Sequence, residues 1–85
     1  MGADDILSGI KVHMTFKGDL IREPVISRLI SETGVVVNIR RANVDENVGW
    51  MICQLSGEPG CIERALIWLS DHEVEVNRLA DVVES

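Results

Sequence analysis

The chain has 85 residues, eight basic and fourteen acidic, for a formal charge of −6. That is one domain's worth of chain, with a core small enough that a second copy covering apolar surface would add stability. No apolar run approaches the ~18 residues that span a bilayer, and Met1–Ser8 lacks the basic start and apolar stretch of a secretory signal, so the chain is read as cytoplasmic without membrane insertion.

The first eight residues read as a loose tail, with Asp4 and Asp5 as solvated acids. Ile10, Val12, Met14 and Phe16 then alternate with Lys11, His13, Thr15 and Lys17. That period of two predicts a half-buried strand, ended by Gly18-Asp19. Glu23-Pro24 opens a helix over 24–33, because proline's missing N–H costs nothing at the first helical position. Val25, Ile26, Leu29 and Ile30 recur at helical spacing, and Gly34 supplies the stop.

Val35 to Asp45 is rich in β-branched residues and predicts a second strand. One face carries Val35, Val37, Ile39 and Arg41; the other carries Val36, Asn38, Arg40 and Ala42. Asp45 to Gly49 reads as a turn, with Asn47 and Gly49 able to take positive φ. Trp50 to Ser56 alternates again, with Trp50, Ile52 and Gln54 opposed to Met51, Cys53 and Leu55. The two strands form a hairpin. Pro59 to about His72 is an amphipathic helix with Cys61, Ile62, Ala65, Leu66, Trp68 and Leu69 as its apolar stripe. Val74 and Val76 mark a last strand, and residues 80–85 read as a C-terminal tail.

The order β-α-β-β-α-β predicts an α+β fold of the ferredoxin-like kind. Its four-stranded antiparallel sheet has strand order 4-1-3-2 and both helices on one face. The uncovered face should be polar. Lys11, His13 and Thr15 obey that rule, whereas Val36, Trp50 and Ile52 break it, and an exposed apolar patch on a small domain usually meets a partner or ligand. The second strand is also an open edge.

Catalysis needs converging titratable groups, and neither His13 nor His72 has a nucleophile beside it in this reading. His72 suits the end of a helix, where the dipole favours positive charge. Asp45-Glu46 reads as a solvated loop pair. Cys53 and Cys61 match no metal or redox spacing and read as core thiols. No enzyme, metal or cofactor is expected. Nucleic acid is not expected either, since the one dense basic pair is Arg40-Arg41.

Several runs resemble the NIL domain family over residues 10–79. They are Phe16-Lys17-Gly18, Glu23-Pro24 through Leu29, Gly34 through Arg40, Leu55-Ser56-Gly57, Ala65 through Leu69 and Val74-Glu75-Val76. Arg40 stands where the family carries leucine, and the turn after Asn43 is short. The resemblance implies an ACT-like β-α-β-β-α-β sandwich over 9–79 that regulates by binding methionine or a related sulfur amino acid at a homodimer interface. It also implies a partner among methionine-import ABC transporters or ferredoxins. Asn38, Arg40, Asn43, Trp50, Met51 and Ile52 are the expected ligand contacts. The other expectation is an interaction or dimerisation module with no ligand. The chain itself has no P-loop motif and no cysteine cluster.

Overall fold

The computed structural model of the protein describes residues 8–79; the two expected tails, apart from Ser8, lie outside them. The elements are β1 (Ser8–Lys17), a 3₁₀ turn (Gly18–Arg22), α1 (Val25–Thr33), β2 (Val36–Val44), β3 (Val48–Gly57), α2 (Pro59–Asp71) and β4 (Glu75–Leu79). The sheet order is β2-β3-β1-β4, with every neighbouring pair antiparallel. This is the expected order read from its other edge, and the α+β, ferredoxin-like architecture stands as read.

Alternation decides which face of the sheet is covered. Val12, Met14, Cys53 and Leu55 are fully buried, and α1 and α2 close over them with Leu29, Ala65 and Leu69, also fully buried. In α1 the buried positions are Val25, Leu29 and Thr33, one stripe spaced four residues apart. Thr33 is the one polar member of the core among the described residues. Its hydroxyl donates to the Leu29 carbonyl at 2.7 Å and accepts the Val35 N–H at 3.3 Å, so its burial leaves nothing unpaired.

The helices are tied at Trp68. Its indole N–H donates to Glu32 Oε1 at 2.8 Å, across from α2 to α1. His72 caps α2 and stacks on the Trp68 ring at 3.8 Å, with Nδ1 2.8 Å from the Trp68 carbonyl oxygen. On the α1 side the Arg28 guanidinium lies 5.7 Å from the Trp68 ring centre.

Three local expectations are corrected, and one element is added: Gly18-Asp19 ends β1 as expected, and the chain goes on as a 3₁₀ turn over Gly18–Arg22. Pro24 is the residue before the first helical turn rather than its first member. Neither Asn47 nor Gly49 takes a positive φ; Gly49 is buried in β3, paired with Val44. Cys61 is half-buried in the first turn of α2, where Arg64 Nη2 donates to its sulfur at 3.4 Å, so only Cys53 is a fully buried thiol.

Two left-handed positions make opposite predictions. Gly34 ends α1 with φ 77°, and its N–H donates to the Ile30 carbonyl at 2.9 Å. A Cβ there would meet only Cys61 Sγ at 3.7 Å, so the penalty of Gly34→Ala is conformational, about 1 kcal/mol. Glu73 holds φ 65° in the turn before β4. Glu73→Gly is expected to leave stability unchanged or raise it by up to ~1 kcal/mol. Urea melts of the two variants beside the native chain check the opposite signs.

Candidate functional site

The edge strand β2 is where the fold leaves most unsatisfied. It pairs with β3 on one side and, among the described residues, with no strand on the other. Nearly all of its residues are exposed, including Val36 at 58%, Ile39 at 50% and Val44 at 65%. Open backbone donors and acceptors beside exposed β-branched side chains form a ready template for another strand.

The register of β2 shifts between Ile39 and Arg41. Before the shift Asn38 faces Gln54 and Ile39 faces Cys53; after it Arg41 faces Ile52 and Ala42 faces Met51. The extra residue moves Arg41 to the open face and Ala42 to the helix face, the reverse of the strict alternation expected for them. Arg40, at the bulge, donates from Nη2 to Gln54 Oε1 at 3.1 Å on the open face. Arg40 and Arg41 therefore both serve that face.

Five of the six expected contact residues gather there. Asn38, Arg40 and Asn43 come from β2, and Trp50 and Ile52 from β3, with Asn43 directly opposite Trp50. Trp50 is half-buried and stacks on His13 of β1, ring centres 5.5 Å apart and planes at 16°. Met51 is separated from the other five. It pairs with Met14 and Ala42 and points to the helix side.

On that side Met51 lines a cleft of about 230 Å³. Phe16, the 3₁₀-turn residues Leu20 and Ile21, the start of α1 (Pro24, Val25, Ile26) and Val44 of the edge strand form the rest of its apolar wall, with Glu23 and Ser27 among its polar members. It lies below the roughly 300–1,000 Å³ of drug-sized pockets, so an amino-acid-sized apolar group suits it. Sequence reasoning missed these walls because they depend on the 3₁₀ turn. The available signal was the apolar pair Leu20-Ile21, placed after a glycine and outside any periodic element. Asn43 and Val44 are consecutive in β2, so the polar edge and the cleft meet at the same end of the strand.

Among the described residues no group of three or more His, Cys, Asp and Glu side chains is placed to hold a metal ion. No described helix is long and apolar enough to cross a membrane.

The methionine import ATP-binding protein MetN of Chromohalobacter salexigens is 37% identical over 75 residues, covering 84% of this chain and 22% of that protein. The L-aspartate semialdehyde sulfurtransferase iron-sulfur subunit of Methanocaldococcus jannaschii is 35% identical over 74 residues, covering 87% of this chain and 56% of the subunit. The chain thus spans about a fifth of one relative and about half of the other. The solved C-terminal domain of an ABC transporter/ATP-binding protein from Enterococcus faecalis superposes with a TM-score of 0.76 at 28% identity, over 88% of each chain. The NIL domain model matches residues 11–78, nearly the whole described fold, and the chain belongs to that family.

Proposed function

We propose that this chain is a regulatory domain that binds a sulfur-containing amino acid, methionine first among them, where the exposed edge of β2 meets the apolar cleft, and that two copies join through β2 to complete the site. The observation that carries this reading is the meeting of Asn43 and Val44: a strand edge with no neighbour among the described residues, bearing polar side chains, runs directly into the wall of an amino-acid-sized cleft. Met51, Phe16 and Leu20 suit a thioether side chain, since sulfur and aromatic edges attract one another and methionine adapts to irregular gaps. An amide both donates and accepts, so Asn43 beside the cleft, together with Asn38 supplied by the second copy across the β2 seam, serves the carboxylate and the ammonium of the ligand. Arg40 adds a charge-assisted partner for the carboxylate. The names of the relatives, a methionine import ATPase and an iron–sulfur subunit of a sulfurtransferase, support sulfur amino-acid chemistry and a transporter or ferredoxin-type partner.

Calorimetry with L-methionine tests the reading. Saturating ligand at a hundred times its Kd stabilises the native state by ~2.7 kcal/mol, which raises the Tm of a domain this size by roughly ten degrees or more. Asn38→Ala is expected to weaken binding about tenfold, the loss of one to two hydrogen bonds to a charged group. No heat and no melting shift at millimolar L-methionine would overturn ligand sensing. A stable dimer under those conditions would leave the reading in which the same edge binds protein alone.

A further inference from the structure

The open face of the sheet has a charge opposite to that of the chain. Lys11, Lys17, Arg40 and Arg41 all lie on it, half of the eight basic side chains of a molecule whose net charge is −6. Among the described residues one acid shares the face, Glu75, and it pairs with Lys17 at 3.7 Å. The other described acids sit on the helices, the 3₁₀ turn and the loops. Among the described residues, therefore, no carboxylate on the open face pairs with Lys11, Arg40 or Arg41.

Between these cations lies an apolar centre. Trp50 stacks on His13, and Ile52 is directly opposite His13 in the ladder. A tryptophan-centred apolar core within an arginine-rich surround is the composition of a protein interface. A twofold copy laid face to face would bring two cationic surfaces together, which disfavours closure of this face on itself. Pairing through β2 would leave it free. Phosphate chains gain affinity from many cations and from unstacked rings. Here the whole chain is anionic, and the one aromatic ring of the face besides His13 already stacks on it.

We propose that the open face docks an acidic segment of a partner protein, with apolar side chains on Trp50 and Ile52 and carboxylates on Lys11, Arg40 and Arg41. A fluorescein-labelled peptide of glutamates interspersed with leucines serves as the probe. The matched lysine–leucine peptide and a short oligo(dT) are the comparisons, all titrated against the full chain by anisotropy at low and high salt. The acidic peptide is expected to bind most tightly and to weaken with salt. The double variant Lys11→Glu/Arg41→Glu should weaken it at least about tenfold. Both positions are exposed, so the fold and the response to L-methionine should persist. Trp50→Ala should weaken the peptide as well. Tighter binding of oligo(dT), affinity that survives charge reversal, or no binding at millimolar peptide would each overturn the proposal.

Discussion

Trp68→Ala is expected to cost about 3–5 kcal/mol, the range for removing a buried aromatic from a core. A domain of this size has roughly 5–10 kcal/mol in total, so the variant should be barely folded at room temperature. Trp68 is 9% exposed and does three jobs at once. Its ring fills the space between the helices, carries the stacked His72 at 3.8 Å, and donates to Glu32 at 2.8 Å. The contributions separate by variant. Trp68→Phe keeps most of the burial and loses the hydrogen bond, which at a half-exposed carboxylate should cost about 1–2 kcal/mol beyond the smaller ring. Arg28→Ala removes the cation near the ring and its ion pairs to Glu23 and Glu32 at 3.8 and 3.6 Å. Those groups are nearly half exposed, so the loss should stay within about 1 kcal/mol. Urea denaturation followed by circular dichroism reads all three. A Trp68→Ala variant within 1 kcal/mol of native would mean that packing between the helices does not hold this fold.

Alkaline pH should destabilise the protein through one thiol. Cys53 is fully buried in the centre of β3, and burial pushes its pKa up from 9.0 to about 11. The unfolded chain gives up this proton near pH 9, while the folded chain holds it until about pH 11. Stability that is fully present below pH 9 is therefore lost progressively as pH rises through that window, by roughly 2–3 kcal/mol in all. The chain has no tyrosine, which removes one competing titration in this range. Cys53→Val, close to isosteric, should abolish most of the decline. Comparing native and variant by urea melts below pH 9 and near pH 11 checks it. Equal slopes would assign the decline to other groups. The same burial predicts that iodoacetamide modifies the half-buried Cys61 long before Cys53 in the native protein.

Much of the fold was legible because its elements are strongly periodic. Ile10 to Lys17 alternates without a break, and α1 and α2 carry clean stripes, so strand order and the covered face followed from topology alone. The register of β2 beyond Ile39 was not legible. A bulge is one extra residue stabilised by the neighbouring strand, and no local pattern in Ile39-Arg40-Arg41 distinguishes it from continued alternation. That slip moved Arg41 onto the open face and added it to the basic surface there. The 3₁₀ turn was hidden for a related reason. It is too short to show a period, and Leu20 and Ile21 are anchored by packing against the sheet rather than by their own sequence. Because the cleft depends on that turn, the sequence placed Met51 with Trp50 and Ile52, its chain neighbours, although alternation puts it on the opposite face of the sheet. Trp50 and Ile52 were rightly read as apolar residues on the uncovered side, and their partner His13 sits beside them by register alone.

Amide hydrogen exchange with and without L-methionine checks whether ligand and second copy meet at the edge of β2 and the cleft beside it, because it reports each backbone segment separately. Added methionine is expected to slow exchange in Val36–Val44 and in the 3₁₀ turn with the start of α1, while α2 changes little. Unchanged exchange along β2 at saturating methionine, or protection confined to α2 and β4, would contradict it.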